Sequence, residues 1–288
     1  MPELPEVETI KRSLEKKIIN KTINDIKILS PKNFIGNKKE VIGLKINSIQ
    51  RYGKVLVFKL ANPQTRQPST NKYLNFHFKL SGQLLYADNI NNAIYKNKIP
   101  FTKGNKMPAN TTRVIIKFSD NSGLFFNDLR KFGWIKISQK PLIPKGIDVL
   151  SEEFTVNYLT EITKKSKKPI KLLLMDQEKL TGIGNIYAND SLFLAKIHPQ
   201  RLSNSLTKKE IKNLYQSIIK EIKKGIKDKG SSGADEAFIL PDGSKGTHQR
   251  NFLVYQQEKK PCPRCQTPIK RIKQNNRSSF FCPKCQNK

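Results

Sequence analysis

The sequence predicts an α+β protein, because the spacing of its apolar residues changes once along the chain. Residues 20–138 carry runs in which apolar and polar residues alternate, for example at Leu74, Phe76, Phe78 and Leu80, and this period of two predicts strands. Residues 147–229 instead repeat apolar residues every three or four positions, which predicts helices. Two Cys-x-x-Cys pairs close the chain and indicate a small metal-bound module.

The first predicted element is a helix near the N-terminus. Pro5 suits its first turn, and Val7, Ile10, Leu14 and Ile18 recur at helical spacing. This apolar face would hold the start of the chain against a core.

The residues before this helix, Pro2 and Glu3, are candidates for chemistry. Removal of Met1 would leave the secondary amine of Pro2 as the N-terminus, and an α-amino group titrates at about 7.7–8, low enough to supply a nucleophile at neutral pH. Glu3 offers a carboxyl acid or base one residue away. Taken alone, the stretch fits an ordinary exposed terminus better, since chain ends are usually unstructured.

The strand-rich region contains two polar inserts and ends in a linker. Residues 62–72 and 88–110 are rich in Asn, Lys, Pro and Thr, and we expect both to be surface loops. Residues 139–146 carry two prolines and a glycine, which indicates a domain boundary. We therefore predict three domains, over residues 1–138, 139–258 and 259–288.

The clearest predicted helix lies in the second half of the chain. Leu214 and Ile218 belong to its apolar face, and Thr207 and Glu210 have the spacing of an N-terminal capping box. The Gly/Ser-rich stretch 230–233 should follow its end.

Positive charge dominates the composition. The 54 Lys and Arg residues against 23 Asp and Glu give a net charge of +31, which is typical of proteins that bind a polyanion, and nucleic acid is the leading candidate. An A·T-rich genome can also favour lysine, but it does not explain the scarcity of acidic residues. The sequence has no run of about 18 apolar residues and no signal segment. We therefore expect a soluble, intracellular protein that is not associated with a membrane.

The four cysteines, Cys262, Cys265, Cys282 and Cys285, are the most specific signal in the sequence. Their spacing is that of a zinc site, and in a reducing compartment such pairs bind metal rather than form disulfides. Four thiolates complete a tetrahedron, so we expect one structural Zn²⁺ with no position open to a substrate. The residues between the pairs suit a hairpin with Arg277 at or near its tip, where it is either a solvated residue or a contact to DNA.

Three further positions each have two possible roles. The segment 182–188 opens onto a helix and lacks the third glycine of a dinucleotide fingerprint, so Asn185 either contacts a phosphate or belongs to a packing turn. Lys54 shares a predicted strand face with Leu56, and it either reaches the rim or is desolvated. Lys167 lies in a lysine-rich run that is either solvated or in contact with phosphates.

These segments, in this order, resemble the formamidopyrimidine-DNA glycosylase family, which excises oxidised purines from DNA. The resemblance covers nearly the whole chain and is carried by residues 2–9, Lys54, residues 80–82, 128–133 and 182–188, and the four cysteines. It implies an N-terminal β-sandwich with the N-terminal helix, a helical domain with a helix-two-turns-helix element, and a zinc ribbon. It also implies double-stranded DNA with oxidised bases or abasic sites as the partner.

The resemblance implies roles for individual residues as well. Pro2 would attack C1′ of the damaged nucleoside and form a Schiff base through which both phosphates are eliminated, while Glu3 protonates the opening sugar. Lys54 would donate a proton and contact a phosphate, and Arg277 of the zinc ribbon completes the catalytic set. The expected DNA contacts are the phosphate ligands Asn185 and Lys167, the void-filling Leu80, Arg130 and Phe132, Thr111, and a lid over the flipped base at residues 230–246.

The chain departs from the family pattern at a few positions. Leu80 stands where methionine is usual, Thr111 and Thr112 where a histidine contacts the minor groove, Leu129 where proline is usual and Gln256 where glycine is usual. The related endonuclease VIII group, which prefers oxidised pyrimidines, typically has glycine where this chain has Leu4, so the start favours the purine branch. The alternatives are an oxidised-pyrimidine glycosylase, a non-catalytic module that binds damaged DNA and, with least support, a protein of the membrane surface.

Overall fold

Two main sheets and a helix form most of the N-terminal part of the protein in the computed structural model, which describes residues 2–63, 72–233 and 238–286. The chain divides into two compact units, Met1–Ile143 with Asp228–Thr247, and Pro144–Lys227 with His248–Lys288. Residues 228–247 fall within the range 139–258 that we assigned to the second domain, yet they pack with the first unit. The division into three functional domains stays a prediction.

The helices and strands of the first unit are short apart from the first helix. In chain order they are α1 (Leu4–Ile18), β1 (Ile23–Ile28), β2 (Phe34–Ile35), β3 (Lys45–Tyr52), β4 (Val55–Ala61), β5 (Lys72–His77), β6 (Gly82–Ala87), β7 (Ala93–Ile94), β8 (Lys106–Met107), β9 (Thr112–Phe118), β10 (Gly123–Asp128) and β11 (Trp134–Ser138).

The two main sheets of this unit share one core. A four-stranded sheet has the order β1-β9-β10-β6 and a five-stranded sheet has the order β2-β11-β5-β4-β3. Both sheets and α1 contribute to a single apolar cluster, in which the predicted helix face of Val7, Ile10, Leu14 and Ile18 is fully buried. Burying one such side chain stabilises a fold by about 1.5–3 kcal/mol. The predicted β-sandwich with an N-terminal helix is confirmed.

The predicted strand through Leu80 is wrong at its end. Leu74, Phe76 and Phe78 are buried as predicted, but β5 stops at His77 and the chain reverses, with the Gly82 amide donating to the Phe78 carbonyl over 2.8 Å. Leu80 therefore lies half-buried in the turn between β5 and β6. Alternation alone could not place this turn, because Leu80 continues the apolar period of the strand.

The prediction of a surface loop over 88–110 is also wrong. Strands β7 and β8 pair inside this insert, and its apolar residues Ile90, Tyr95, Ile99 and Met107 are buried. Of the other insert, 62–72, residues 64–71 lie outside the described part of the chain.

The second unit is mainly helical. Its elements are β12 (Ile147–Asp148), α2 (Val156–Lys164), α3 (Ile170–Leu174), β13 (Leu180–Thr181), α4 (Asn185–Leu194), α5 (Lys208–Lys227), β14 (Lys270–Gln274) and β15 (Arg277–Phe281). The capping box of α5 is confirmed, since the Thr207 amide donates to the Glu210 carboxylate over 2.8 Å and the Glu210 amide donates to the Thr207 hydroxyl over 3.3 Å. Within the described residues, no helix is both long and apolar enough to cross a membrane.

The last two strands form the predicted hairpin. Its turn is Asn275 and Asn276, both with positive φ, so that Arg277 pairs with Gln274 beside the turn. A two-residue turn with two positive φ angles matches the twist of a hairpin, and asparagine tolerates this conformation.

Candidate active site and metal centre

The start of the chain is held inside the first unit. Pro2 is buried and the Glu3 side chain is 2% exposed, because the apolar face of α1 anchors the terminus in the core. Glu3 is extended and sits at the N-cap of α1, where its backbone amide donates to Glu6 Oε2 over 2.8 Å. The alternative of an ordinary exposed terminus is therefore wrong.

Glu6 connects this terminus to residues 228–247. While Oε2 accepts from Glu3, Oε1 accepts from the backbone amide of Ser231 over 2.9 Å. Ser231 belongs to residues 228–247, which follow α5 in the sequence but pack with the first unit. One buried carboxylate therefore fixes both the candidate catalytic residues and the segment beside them.

Lys54 lies in the turn between β3 and β4 rather than on a strand, and it is only 6% exposed. The turn is fastened to α1, because Arg51 donates to the Gly53 carbonyl over 3.0 Å and to Glu8 Oε2 over 3.0 Å. Burial acts to raise the pKa of Glu8, but hydrogen bonds from Arg12 and Arg51 outweigh it and hold that pKa below its usual value. Of the two roles left open for Lys54, the structure selects the desolvated one.

Besides burial, the positive charge of Lys54 contributes to lowering the pKa of His77, the last residue of β5. Burial, together with the positive charges of Lys79 and Lys54, lowers the pKa of His77 to about 3. The imidazole is therefore neutral at physiological pH, and its Nδ1 accepts from the Lys79 amide over 3.0 Å.

Two loops that carry the predicted void-filling residues are joined by Asp128. This buried carboxylate accepts from the Ser81 hydroxyl, from the Gly133 amide over 2.6 Å and from the Arg130 amide over 3.2 Å. The Arg130 amide also donates to Ser81 Oγ over 3.0 Å. The structure thus brings the Leu80 turn and the loop of Arg130 and Phe132 together.

The side chains of the second loop point outward. Phe132 is 53% exposed with the Lys32 ammonium 5.9 Å from its ring centre, and Arg130 and Leu129 are also exposed. Exposed apolar side chains on a braced loop suit insertion into a base stack. Thr111, by contrast, is 2% exposed, which argues against a direct contact between its side chain and DNA.

In the second unit, Asn185 is the first residue of α4 and is partly exposed. The turn before it is braced by Gln177, whose amide donates to the Ile183 carbonyl over 2.8 Å and whose oxygen accepts from the Gly182 amide over 3.2 Å. Amides at the start of a helix bind phosphate well. Lys167 is exposed in the loop between α2 and α3.

Arg277 is exposed at the start of β15, and a buried lysine holds its strand in place. The Lys171 side chain of α3 is fully buried, and its Nζ donates to the Ser278 carbonyl over 2.8 Å and to Ser279 Oγ over 2.7 Å. Further bonds tie the hairpin to α4, among them the Phe280 amide to Asn189 Oδ1 at 2.8 Å.

The four cysteine sulfurs converge on one point. They lie within 4.8 Å of one another, and Sγ–Sγ distances of 3.4–3.9 Å connect the two pairs. A tetrahedral zinc with Zn–S bonds of about 2.3 Å requires sulfurs about 3.8 Å apart. The donor set therefore fits one structural zinc ion, as predicted. Arg264, between Cys262 and Cys265, donates to the carbonyls of Phe193 and Leu194 at the end of α4. The turn that carries the first two cysteines is therefore bonded to a helix of the second unit.

Three family models match the chain in sequence order. They are the formamidopyrimidine-DNA glycosylase N-terminal domain over residues 1–135, the H2TH domain of the same enzyme over 145–236, and a zinc finger found in FPG and IleRS over 259–288. The formamidopyrimidine-DNA glycosylase of Pelotomaculum thermopropionicum is 35% identical over 99% of both chains. The chain belongs to the formamidopyrimidine-DNA glycosylase family.

Solved structures of this family share the fold. The MutM (Fpg) protein of Thermus thermophilus has a TM-score of 0.84 at 30% identity, over 99% of this chain and 98% of that one. Lactococcus lactis Fpg, solved with DNA containing Fapy-dG, an abasic site or an oxidised pyrimidine, has TM-scores of 0.80–0.81 at 31–32% identity over 100% of both chains. Members of the family are therefore known with each of these kinds of DNA.

Sequence reasoning missed three supporting residues of this glycosylase. Glu6 could have been found from the Glu3-x-x-Glu6 spacing of a capping box. Lys171 interrupts an apolar run, which is a signal for a buried, paired lysine. Gln177 carries no local signal, since its role depends on the turn that it braces.

Proposed function

We propose that the protein removes oxidised purines from DNA and cleaves the strand at the resulting abasic site, using the amine of Pro2 after removal of Met1. The observation that carries this proposal is the buried Pro2-Glu3 terminus, fixed by α1 and Glu6, in a chain of this family. Chain ends are usually poorly ordered unless packing or bonding ties them down, and here the burial of Pro2 and Glu3 and the bond to Glu6 do so.

The proposed reaction begins at the sugar. The Pro2 nitrogen forms a bond to C1′ and loses its proton, and the bond from C1′ to the base breaks, so that the base leaves with a proton. Glu3 gives a proton to O4′ as the ring opens, which leaves an iminium between C1′ and the nitrogen. Loss of a proton from C2′ then expels the 3′ phosphate, a second elimination expels the 5′ phosphate, and water hydrolyses the iminium to restore the amine.

The base must leave the helix before its sugar can be attacked. We infer that Leu80, Arg130 and Phe132 fill the gap, supported by the brace at Asp128 and by the exposure of Phe132. Lys54, Asn185, Lys167 and Arg277 contact phosphates near the lesion. The net charge of +31 supports binding to DNA over a long stretch.

Zinc would be held by Cys262, Cys265, Cys282 and Cys285, and its role is to fix the hairpin that carries Arg277. We propose that the protein works as a monomer in the bacterial cytoplasm, associated with the nucleoid through its positive charge.

A trapping experiment tests the proposed chemistry. Borohydride reduces a Schiff base to a stable amine, so the protein should become covalently joined to duplex DNA that contains 8-oxoguanine opposite cytosine. Pro2→Gly, which keeps a terminal amine but not the secondary one, should give far less adduct. Intact mass of the native protein should show that Met1 is absent, and retained Met1 in an active preparation would rule out Pro2 as the nucleophile.

A second candidate is a preference for oxidised pyrimidines. The observation that favours it is the Lactococcus lactis relative solved with an oxidised pyrimidine in its DNA. Parallel excision assays on 8-oxoguanine, formamidopyrimidine and thymine glycol duplexes decide between the two. A protein that binds all three duplexes and cuts none would instead be a non-catalytic binding module.

A further inference from the structure

The insert 88–110 forms a second apolar core on the outer face of the four-stranded sheet. Strand residues Leu85, Ala87 and Phe125 point away from the main core, and the insert covers them with Ile90, Ala93, Tyr95, Ile99 and Met107. Every one of these side chains is at most 9% exposed. A polar-looking insert that buries this much apolar surface is a folded part of the unit and not a passive loop.

Besides residues of the sheet and the insert, the insert core contains Ile239, from the stretch after the helical region. In residues 238–240 the side chains alternate between two cores, since Phe238 and Leu240 enter the main core while Ile239 enters the insert core. The Tyr86 amide donates to the Pro241 carbonyl over 2.8 Å, which adds a backbone bond between β6 and this stretch. Residues 238–246 therefore contact both the four-stranded sheet, through β6, and the insert.

A close contact between the insert and this stretch is at Gly243. Its φ is +79°, and a Cβ added there would lie 2.8 Å from the ring of Tyr95. The Tyr95 hydroxyl donates to the Tyr86 carbonyl over 3.0 Å, which fixes the ring, and Asn97 Nδ2 donates to the Gly243 carbonyl over 3.4 Å. The insert thus determines where Gly243 lies.

The same stretch is connected to the candidate catalytic terminus. The Gly246 amide donates to Ser232 Oγ over 2.9 Å, and Ser231 pairs with Thr247. Ser231 in turn donates to Glu6, which also accepts from Glu3. A continuous set of bonds therefore leads from the insert through residues 238–246 to the residue beside Pro2.

We propose that the insert 88–110 is a positioning element for base recognition, which acts through Tyr95 and Asn97 on residues 238–246. The inference rests on the proposed function. A base whose sugar is attacked by Pro2 has to lie close to the terminus, and residues 238–246 are connected to that terminus through Ser232 and Ser231. Shifting this segment should slow removal of a damaged base, but it should not slow cleavage at a preformed abasic site, which has no base to recognise.

Two glycine variants make a matched test. Gly243→Ala places a methyl group against Tyr95, whereas Gly43→Ala adds one at a φ of +82° with no atom within 4 Å. Both substitutions carry the same strain of a left-handed backbone, so their difference isolates the contact with Tyr95. Asn97→Ala, at a partly buried hydrogen bond, removes a second contact without adding volume.

The measurement is single-turnover excision of 8-oxoguanine and of formamidopyrimidine, alongside cleavage of preformed abasic duplex, with thermal unfolding as a check on the fold. We expect Gly243→Ala to lower the ratio of excision to abasic cleavage about tenfold or more, as for a small misplacement near a reacting centre. Asn97→Ala should lower it less, and Gly43→Ala should leave it at the wild-type value.

An unchanged ratio in Gly243→Ala overturns the inference while the wild-type activity still supports the proposed function. If Gly243→Ala fails to fold, the inference is tested with Asn97→Ala. A wild-type ratio of excision to abasic cleavage in Asn97→Ala then overturns the inference. A wild-type protein that excises no base but binds the duplexes overturns the proposed function instead.

Discussion

Removal of the Asp128 carboxylate should loosen the two loops that carry Leu80, Arg130 and Phe132. In Asp128→Ala the Gly133 amide and the Ser81 hydroxyl both lose their buried acceptor, whereas the Arg130 amide keeps Ser81 Oγ. Each buried group left unpaired costs about 1–3 kcal/mol, so the free energy of unfolding should fall by about 4 kcal/mol.

Asp128→Asn should cost less, because the amide can keep part of these bonds. Its oxygen can accept from Gly133 and its NH₂ can donate to Ser81 Oγ, so the groups that lose their acceptor are the Ser81 hydroxyl hydrogen and, over 3.2 Å, the Arg130 amide, which keeps Ser81 Oγ. We expect a loss of about 1–2 kcal/mol. Asp25→Asn, in an exposed ion pair with Lys38, is the control and should cost at most about 1 kcal/mol.

The chain has a single tryptophan, Trp134, directly after Gly133, and its fluorescence during urea unfolding reports on this unit. Fluorescence of 2-aminopurine beside the lesion measures void filling in the same variants. Equal destabilisation by Asp128→Ala and Asp128→Asn would refute the reasoning, because it would mean that the charge matters and the hydrogen-bond partners do not.

Pro2→Gly and Glu3→Gln should each abolish base excision while DNA binding, measured by fluorescence anisotropy, stays within about twofold, since neither side chain is needed for the charge contacts. Arg277→Ala should weaken DNA binding and reduce the slope of log affinity against log salt concentration by about one phosphate contact. An unchanged slope would mean that Arg277 is a solvated residue that does not contact DNA. Chelation of zinc should unfold the ribbon and weaken DNA binding together, as circular dichroism and anisotropy would show, and full binding by the metal-free protein would count against a structural zinc. Burial lowers the folded-state pKa of His77 from 6.5 to about 3, so the unfolded chain binds more protons between these values. The free energy of unfolding, measured by Trp134 fluorescence, should therefore contain the full contribution of the neutral His77 above pH 6.5 and should decline as the pH falls toward 3. The variant His77→Gln should flatten this decline.

Local signals in the sequence were sufficient for several parts of the fold. The helix face of α1, the capping box of α5 and the hairpin beside Arg277 each depend on residues a few positions apart, so periodicity and turn chemistry could place them. The zinc site was also predictable, because the spacing of its cysteines carries the chemistry directly.

The parts that were missed depend on distant partners. The insert 88–110 is polar in composition, yet it folds because Leu85, Phe125 and Ile239 supply apolar surface that no local window contains. Glu6 lies in the first turn of the predicted helix, but its bond to Ser231, 225 positions away, appears only in the fold. Burial of Lys54 likewise follows from the packing of its turn against α1 and not from the strand pattern around it.

Because residues 228–247 complete the first unit, this unit cannot be made from the N-terminal half of the chain alone. A fragment ending at Ile143 would lack Phe238 and Leu240 from its core and would leave Glu6 without the Ser231 amide. During synthesis, the chain up to and beyond α5 must therefore leave the ribosome before the candidate catalytic terminus can make its bonds to residues 228–247. The order of synthesis thus delays completion of the first unit until the helices of the second unit have already been made.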